Sequence, residues 1–454
     1  MIYSVLDYGV VADGKTLNTK AVQNVVDLCS KNGGGIIRFN PGRYVLSTIF
    51  LKSNVTIEIT LGAEILGAES FYDYEQEEEI KYPIYQDSSH TYYHPSMFVG
   101  IDCENIKILG GGKIDMRSVW DEDDVRKILH RGAKCIALKN CKNVEISNLG
   151  IYNATDLAIY FAGCENVDIF NLNMRVYIDG ISPDNSKNVC IHDCEVESGD
   201  DGIVFKSSYT LNRLDICENI HVWNCKVKSR CNAIKFGTET NGGFERFLIE
   251  NIKIYDTRIS GIAIESVDGA IIDGITIKNV QMKNVNAPIF IHIGKRMRGP
   301  GGREIGKIRN VIMENITAEG PYQPYRIMPW NYRSYKANNF YQKPWAFLDI
   351  NGNSDTCEND WQMTSNVCGL KESLLENITL INVHLKLDGG VQAYTVEVPE
   401  EAQDYPEVFV YGRILPAKGI YFRHINGLTL DNVTVETYRE DKRADFIFEN
   451  VVLN

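Results

Sequence analysis

The sequence predicts an all-β fold of the parallel β-helix type, a solenoid in which each coil of the chain stacks on the coil before it. The first observation is a repeated unit of Asn followed by alternating Ile or Val, as in CENVDIF from Cys164 and CENIHVW from Cys217. The second is its spacing, since Asn143, Asn166 and Asn188 lie 23 and 22 residues apart. A β-sandwich would instead need hairpin turns between adjacent strands, which this regular spacing argues against.

The first 66 residues are expected to form an N-terminal cap and the first coils. Thr19 can cap a helix from about Lys20 to Lys31, and the glycines at 33–35 end it. The apolar residues of this helix share one face, and they are Val22, Val25, Val26 and Cys29. We expect that face to cover the open end of the core, because an uncovered solenoid end exposes strand edges and apolar side chains.

Copies of the repeated unit continue toward the end of the chain, so residues 1–454 are expected to form a single domain. Two stretches interrupt the period as loop insertions, residues 70–97 and residues 320–372. Both are rich in aromatic side chains, which argues against disorder. Two interpretations stay open: the insertions wall a cleft, where aromatic faces pack against sugar rings, or they pack against the solenoid or a second subunit of a homo-oligomer.

The twelve cysteines are placed for packing rather than for cross-linking. Four of them precede the repeated unit and are interpreted as small buried residues stacked on one another, namely Cys103, Cys141, Cys164 and Cys217. No C-x-x-C motif occurs, so a zinc site is not expected, and the prediction includes no metal or cofactor. Cys357 and Cys368, in the second insertion, form the one pair worth testing for a bridge.

The net charge of −13 at pH 7 argues against a nucleic-acid partner, because binding to phosphates needs an excess of Lys and Arg. No run of eighteen apolar residues occurs, so no membrane-spanning helix is expected. The first residues, MIYSVLDYGV, lack the basic start, apolar core and cleavage site of a signal peptide. The sequence as it stands is therefore expected to be cytoplasmic.

The main candidate for chemistry is an acidic stretch between residues 176 and 207. Asp179 precedes Gly180, and 21 residues later Asp200 and Asp201 lie between two glycines. That separation is about one coil, so the three carboxyl groups would converge on one patch of surface. Clustered carboxylates repel, so one keeps its proton to higher pH, and glycosidic cleavage needs such an acid beside a base. Alone, Gly-Asp-Asp-Gly would be interpreted as a polar turn.

Three stretches together resemble glycoside hydrolase family 28, the polygalacturonases and their relatives. Residues 3–68 are similar to the family's N-terminal cap and first coils. The stretch DGISPDNSKNVCIHDCEVESGDDGIVFKS resembles its catalytic core, and DYPEVFVYGRILPAKGIYFRHINGLTLDNVTV resembles a bacterial branch of it. The resemblance covers nearly the whole chain. It implies a right-handed parallel β-helix that hydrolyses glycosidic bonds with inversion and without a metal.

The resemblance also implies roles for the three aspartates. Asp179 matches the aspartate of the family's Asn-Thr-Asp-Gly motif, although Tyr177 and Ile178 replace Asn and Thr. Asp200 and Asp201 match the family's Gly-Asp-Asp motif. By this carry-over Asp200 is the general acid, while Asp179 and Asp201 orient and deprotonate the water. Physical reasoning by itself predicts an acid and a base without saying which aspartate is which.

Two other motifs of the family are absent. Asn232 takes the place of the histidine in Gly-His-Gly, and Ala263 and Glu265 replace the two cations of Arg-Ile-Lys that clasp the substrate carboxylate in polygalacturonases. A glutamate there would repel a galacturonate, so another cation supplies the anion contact or the bound ring is neutral. Glu265 could also be a fourth carboxylate in the reaction. The candidate substrate-binding residues are Lys206, Arg230, Asn232, Lys235, Glu239 and Glu265, with Lys295, Arg296 and Arg298 as further cations.

The sequence therefore predicts an inverting glycoside hydrolase whose partner is a pectin-related or other short oligosaccharide or polysaccharide. The insertions favour exo action, because they would close the cleft at one end. Two other functions stay open. One is a non-hydrolytic sugar enzyme, namely a lyase with Lys235 as its base, an epimerase or a fructan-processing transferase. The other is an inactive carbohydrate-binding solenoid.

Overall fold

The computed structural model describes residues 1–118, 132–323, 362–394, 397–400 and 406–454. The chain divides into two compact units, Met1–Ser198 with Ser208–Cys225, and Gly199–Ser207 with Lys226–Asn454. The described residues form 28 β-strands and one α-helix, α1 (Thr19–Lys31). In this part of the chain no helix is both long and apolar enough to cross a bilayer.

The first unit contains α1 and eighteen of the described strands. In chain order these are β1 (Ile2–Ser4), β2 (Asp13–Leu17), β3 (Gly35–Phe39), β4 (Gly42–Leu46), β5 (Ile49–Phe50), β6 (Val55–Ile59), β7 (Ala63–Gly67), β8 (Ser96–Ile101), β9 (Glu104–Gly110), β10 (Lys113–Asp115), β11 (Lys134–Lys139), β12 (Lys142–Tyr152), β13 (Ile159–Ala162), β14 (Glu165–Val176), β15 (Ile181–Asp184), β16 (Lys187–His192), β17 (Glu195–Ser198) and, after one strand of the second unit, β19 (Ile216–Trp223).

The second unit contains the other ten described strands. They are β18 (Ile203–Ser207), β20 (Lys226–Ser229), β21 (Ile234–Thr240), β22 (Gly243–Ser266), β23 (Ile271–Ile293), β24 (Lys307–Glu319), β25 (Ser365–Cys368), β26 (Leu375–Gly389), β27 (Ala417–Arg439) and β28 (Ala444–Leu453). Strands β22 and β23 pair in parallel over almost their full length, and each is long because it bends around the coil with few breaks.

Within each unit, apolar side chains of successive coils stack in register. In the first unit Val167, Val189 and Ile220 occupy equivalent positions on β14, β16 and β19, and all three are buried. In the second unit Ile234 on β21 pairs with Ile262 on β22, and both are buried. The alternation of apolar and polar residues in the sequence is thus the inward and outward alternation of the strands. The predicted parallel β-helix is confirmed.

The recurrent asparagine marks a turn of each coil. Asn143, Asn166 and Asn188 have φ angles of 54°, 57° and 53°, in the left-handed region that Asn tolerates better than most residues. Nδ2 of Asn166 donates to Oδ1 of Asn143 at 3.1 Å, and Nδ2 of Asn188 donates to Oδ1 of Asn166 at 3.2 Å. These asparagine side chains therefore stack on one another along the coils. Each of these amides bonds the preceding asparagine side chain rather than the backbone, because the repeated turns place the side chains one above another.

Helix α1 begins one residue earlier than predicted, and Thr19 is not its cap. The N-cap residue is Asn18, and its side chain makes no capping hydrogen bond. Oγ1 of Thr19 instead accepts a hydrogen bond from the backbone N of Ser47 at 2.8 Å, which attaches the helix to the coil beneath it. The predicted apolar face is buried, and its members are Val22, Val25, Val26 and Cys29.

The first insertion, residues 70–97, packs against the coils of the first unit. Oη of Tyr82 donates to the carbonyl of Thr210 at 2.5 Å, and the buried ring of Tyr93 lies 5.4 Å from that of Tyr160. Packing against the solenoid, one of the two interpretations above, therefore describes these aromatic residues. Most aromatic residues of the second insertion, and Cys357, lie outside the described residues.

The eleven described cysteines form no disulfide bond. The four that precede the repeated unit are buried, as predicted, and they are Cys103, Cys141, Cys164 and Cys217. The backbone N of Cys141 donates to Sγ of Cys164 on the next coil at 3.3 Å, so these two residues stack.

Candidate active site

The segment Gly199–Gly202 lies directly before β18 and against the following coil of the second unit. The backbone N of Gly202 donates to the carbonyl of Asn232 at 2.8 Å. A Cβ atom at Gly202 would lie 2.6 Å from the carbonyl oxygen of Ala233, so only glycine fits at this approach. This contact fixes the two preceding aspartates: Asp200 is partly exposed, and Asp201 is buried.

The buried Asp201 carboxylate is held mainly by Asn232. Its Oδ1 accepts hydrogen bonds from the backbone N of Asn232 at 3.0 Å and from Nδ2 of the same residue at 2.8 Å. The Asn232 side chain is itself oriented, because its Oδ1 accepts a hydrogen bond from the backbone N of Ser260 at 3.2 Å. Asn232, which stands where the resemblance places a histidine, thus anchors Asp201.

Lys235 lies among three carboxylates. Its Nζ is 2.5 Å from Oε1 of Glu407, 3.5 Å from Oδ2 of Asp201 and 3.6 Å from Oε1 of Glu265. One cation facing three carboxylates leaves an excess of negative charge, so we expect at least one of these carboxyl groups to keep its proton. A lysine ammonium paired in this way is a poor proton acceptor, which argues against Lys235 as the base of a lyase.

Burial raises the pKa of both glutamates around Lys235. For Glu265 the pKa lies well above its ordinary value because of burial, although the charge of Lys235 acts in the opposite direction. The pKa of Glu407 is also raised by burial and lowered in part by Lys235. Neither carboxyl oxygen of Glu265 has a hydrogen-bond partner among the described residues, whereas Glu407 accepts one from Asn232 at 3.1 Å. Glu265 is therefore the group that we expect to hold the proton.

Glu407 is the member of this group that sequence reasoning missed. It caps a 3-10 helix at Val408–Tyr411 and lies 175 residues from Asn232 in the chain. Nδ2 of Asn366 on β25 donates to the carbonyl of Val408 at 2.8 Å, which fixes the start of this helix. Glu407 belongs to no repeated unit, and the sole sequence signal was its place in the tail that resembles a bacterial branch of the family.

Four of the other predicted cations form ion pairs with other acidic residues. Nζ of Lys206 lies 3.0 Å from Glu239, so two predicted substrate-binding residues bind each other. Arg298 also contacts Glu239, at 2.5 Å. Arg296 makes two hydrogen bonds to Asp268, at 3.0 and 2.5 Å, and Lys295 is paired with Glu372. Each of these four cations is therefore paired with a carboxylate, and Lys206 and Arg298 share that of Glu239.

Asp179 belongs to the first unit. It is buried, and its backbone carbonyl accepts a hydrogen bond from the N of Ala158 at 3.0 Å. Gly180 follows with the same pattern, since its carbonyl accepts from the N of Ile159 at 3.1 Å. These bonds hold the segment between β14 and β15 against the preceding coil. The convergence of Asp179 with Asp200 and Asp201 stays a prediction from their spacing.

One group of potential metal ligands occurs in the described part of the chain. It consists of Asp200, Asp201 and Cys231, whose ligand atoms all lie within 4.8 Å of one another. Burial raises the pKa of the Cys231 thiol well above its ordinary value, and the charges of the two aspartates raise it further. A metal that bound here would have to displace the thiol proton of Cys231.

Comparison with known proteins identifies the family of this chain. The family Glycosyl hydrolases family 28 matches residues 48–328. A probable polygalacturonase of Vitis vinifera is 28% identical over 285 residues, which cover 58% of this chain and 56% of that protein. An exo-poly-alpha-D-galacturonosidase of Dickeya chrysanthemi is 25% identical over 308 residues, which cover 55% of this chain and 50% of that protein. The matched region therefore spans about half the length of these curated relatives.

The fold has a counterpart among solved structures. The crystal structure of a hyperthermoactive exopolygalacturonase from Thermotoga maritima has a TM-score of 0.67 and 18% sequence identity, and the match covers 95% of this chain and 92% of that one. This likeness supports the right-handed parallel β-helix that the resemblance implied. Since the family match extends over more than half of the sequence, the chain belongs to glycosyl hydrolases family 28.

Proposed function

We propose that this chain is an inverting glycoside hydrolase with Asp179, Asp200 and Asp201 as its catalytic residues. The observation that carries the proposal is the Asp200–Asp201 pair, in which one aspartate is partly exposed and the other is anchored by Asn232 and lies 3.5 Å from Lys235. Two adjacent carboxyl groups in such different surroundings are suited to different roles.

In the proposed reaction, Asp200 donates a proton to the leaving oxygen of the glycosidic bond. Its partial exposure leaves it accessible to a bound sugar, whereas Asp201 is buried and its Oδ1 accepts two hydrogen bonds from Asn232. Asp201, together with Asp179, would then orient a water and remove its proton as the water attacks the anomeric carbon. Inversion needs the acid and the base to lie roughly 6.5–9.5 Å apart, so that this water fits between them.

We further propose that the substrate is a short pectin-type oligosaccharide cleaved from its end. The relative from Dickeya chrysanthemi is named an exo-poly-alpha-D-galacturonosidase, which supports an acidic sugar and exo action. Glu265 in place of a family cation means that the substrate carboxylate must be bound by another residue. The substrate class therefore depends on where this chain offers a cation that no carboxylate neutralises.

The proposal is tested by replacing Asp200 with Asn. Losing the general acid should lower kcat on a cleaved oligosaccharide by roughly 10²- to 10⁴-fold while the melting temperature stays close to that of the wild type. Asp193→Asn is the matched control, because Asp193 is an exposed aspartate paired with His192 on the outer face, and it should retain activity. Turnover by Asp200→Asn at the wild-type rate would end the proposal.

Proton NMR of the first product distinguishes the proposed reaction from the alternatives. An inverting hydrolase releases a sugar whose anomeric configuration is opposite to that of the bond cleaved. A lyase would instead release an unsaturated product that absorbs in the ultraviolet. Retention of configuration or an unsaturated product would contradict inverting hydrolysis. Binding without turnover across pectic, fructan and neutral oligosaccharides would favour the inactive solenoid.

A further inference from the structure

Arg230 is a buried cation with unused hydrogen-bond donors. The residue is only 5% exposed, and neither its Nε nor its Nη2 has a hydrogen-bond partner among the described residues. A buried polar group without a partner is unfavourable, and more so when it carries a charge. Such a side chain is expected where a ligand completes its hydrogen bonds.

The other cations that the sequence marks as anion contacts are paired with carboxylates. Lys235 is paired with Glu407, and the same holds for Lys206, Lys295, Arg296 and Arg298 with their own acidic partners. No ion pair to Arg230 occurs among the residues that the structure describes. Among these six candidates, Arg230 is therefore the one whose charge is not paired with a carboxylate in the described part of the chain, and two of its donors are unused.

Arg230 is adjacent in the chain to two residues that contact the Asp200–Asp201 pair. Oγ of Ser229 donates to the backbone carbonyl of Asp200 at 2.5 Å. On the other side of Arg230, Sγ of Cys231 lies within 4.8 Å of carboxylate oxygens of both Asp200 and Asp201. The arginine is thus placed on the coil that borders the proposed catalytic pair.

A second unused donor lies two coils further along. Nδ2 of Asn286 is buried and has no hydrogen-bond partner in the described part of the chain. Its Oδ1 accepts a hydrogen bond from the backbone N of Met363, which leaves Nδ2 as the available group. On the coil between them, Ile259 bonds Cys231 and Ser260 pairs with Ala287. Arg230 and Asn286 therefore lie two coils apart, and the segment that contains Ile259 and Ser260 lies between them.

We propose that Arg230 binds the carboxylate of an acidic sugar unit in place of the two cations that are absent at positions 263 and 265. Nε and Nη2 lie on one edge of the guanidinium, and together they match the two oxygens of a carboxylate in a bidentate pair. Two coils away, Nδ2 of Asn286 is a further unused donor. This inference rests on the proposed function, because it names the substrate class of the same site.

The test compares acidic and neutral substrates with the same linkages. Arg230→Gln should lower kcat/KM on trigalacturonate by about 10- to 100-fold, the range expected when charge-assisted hydrogen bonds are lost. On the carboxyl-reduced trisaccharide the same variant should stay within about 3-fold of the wild type, because no carboxylate is left to bind. Arg246→Gln is the matched control, since Arg246 is 60% exposed and paired with Glu245, and it should leave both substrates unaffected.

Three outcomes would overturn the inference. In the first, Arg230→Gln lowers kcat/KM equally on both substrates, and in the second it lowers kcat/KM on neither. In the third, the wild type prefers the reduced trisaccharide. Should the glutamine variant fail to fold, Arg230→Lys takes its place, because it keeps the charge but loses the bidentate geometry. It should give a smaller loss, about 3- to 10-fold, on the acidic substrate alone.

A binding measurement separates this inference from the proposed function. Isothermal titration with trigalacturonate needs no turnover, so it applies even if the wild type hydrolyses neither trisaccharide. Tighter binding by the wild type than by Arg230→Gln, with no such difference for the reduced trisaccharide, would support the carboxylate site while hydrolysis fails. Equal binding of trigalacturonate by the two proteins would overturn the carboxylate site.

Discussion

Glu265 stands where the family has a cation, and its surroundings decide how it is ionised. It is 0% exposed, and its nearest described cation, Nζ of Lys235 at 3.6 Å, also serves Asp201 and Glu407. A distance of 3.6 Å is too long for a hydrogen bond, so the lysine stabilises the Glu265 carboxylate weakly. Burial then raises the pKa of Glu265 well above its ordinary value. We expect a neutral carboxylic acid at neutral pH.

This protonation makes stability depend on pH in a defined direction. A group whose pKa is raised by folding contributes stability that is present below its ordinary pKa of 4.5 and is lost as the pH rises through the raised value. Glu265→Gln keeps the shape and removes the titration. Between pH 5 and pH 8 the free energy of unfolding of the wild type should therefore fall relative to this variant, by at most about 1.4 kcal/mol per pH unit.

Urea unfolding at several pH values measures this difference. Glu245→Gln is the control, because Glu245 is an exposed glutamate in the same unit, and its pH profile should run parallel to that of the wild type. Parallel profiles for the wild type and Glu265→Gln would mean that Glu265 is ionised in the folded protein and would contradict its assignment as a neutral acid.

Residues of the candidate site were predictable from sequence only where neighbouring repeats carry them. Asp200, Asp201, Asn232 and Lys235 occur in successive units, so one coil spacing links them. Glu407 was not predictable in this way, because it approaches Lys235 from a segment that follows no repeat and that is fixed by contacts such as Asn366 to Val408. The sequence also did not reveal which cations are neutralised, since that depends on side-chain distances.

At the scale of the strand, Gly202 sets how closely the coil that carries Asp200 and Asp201 approaches the next one. Besides the carbonyl of Ala233, a Cβ atom there would meet Cγ1 of Val227 at 2.4 Å. Gly202→Ala must therefore displace β18 or its neighbour, and we expect a loss of about 1–3 kcal/mol in the free energy of unfolding. The activity should fall as well, because the displaced segment carries the proposed acid.

Thermal melting and kcat/KM measure the two effects of Gly202→Ala. The control is Gly301→Ala, since no atom lies within 4 Å of a Cβ atom built at Gly301, so this change should leave both quantities unaltered. If Gly202→Ala melts and cleaves like the wild type, the coils tolerate an extra methyl group. The close contact would then not be what positions Asp200 and Asp201.

The elements themselves were largely predictable because their causes are local. Alternating apolar and polar side chains predict strands. The buried residues of α1 are those that the sequence predicts for its apolar face. The capping role of Thr19 was wrong because its hydroxyl bonds Ser47, 28 residues away, in preference to its own helix. The recurrent asparagines were visible in the sequence, but their hydrogen bonds cross between coils, which a single repeat does not reveal.

At the scale of the whole chain, the repeats account for the fold and the departures from them account for the specificity. Each coil needs only alternating apolar and polar residues and a turn, so many sequences can form such a coil. The departures are the insertions, the Glu407 segment and the replacement of family cations at 263 and 265. The net charge of −13 adds a further condition, because an acidic substrate that approaches an acidic protein needs a local cation such as Arg230.

The product profile tests how the whole chain handles a polymer. The proposed exo action predicts that one short product is released from acidic oligomers at the earliest times, while the remaining chains shorten by that unit. The reason is the expectation from the sequence that the insertions close the cleft at one end. Chromatography of early samples from the digestion of an acidic hexamer measures which products are released first. A mixture of dimers, trimers and tetramers in the first minutes would indicate cleavage within the chain and would remove the argument for exo action.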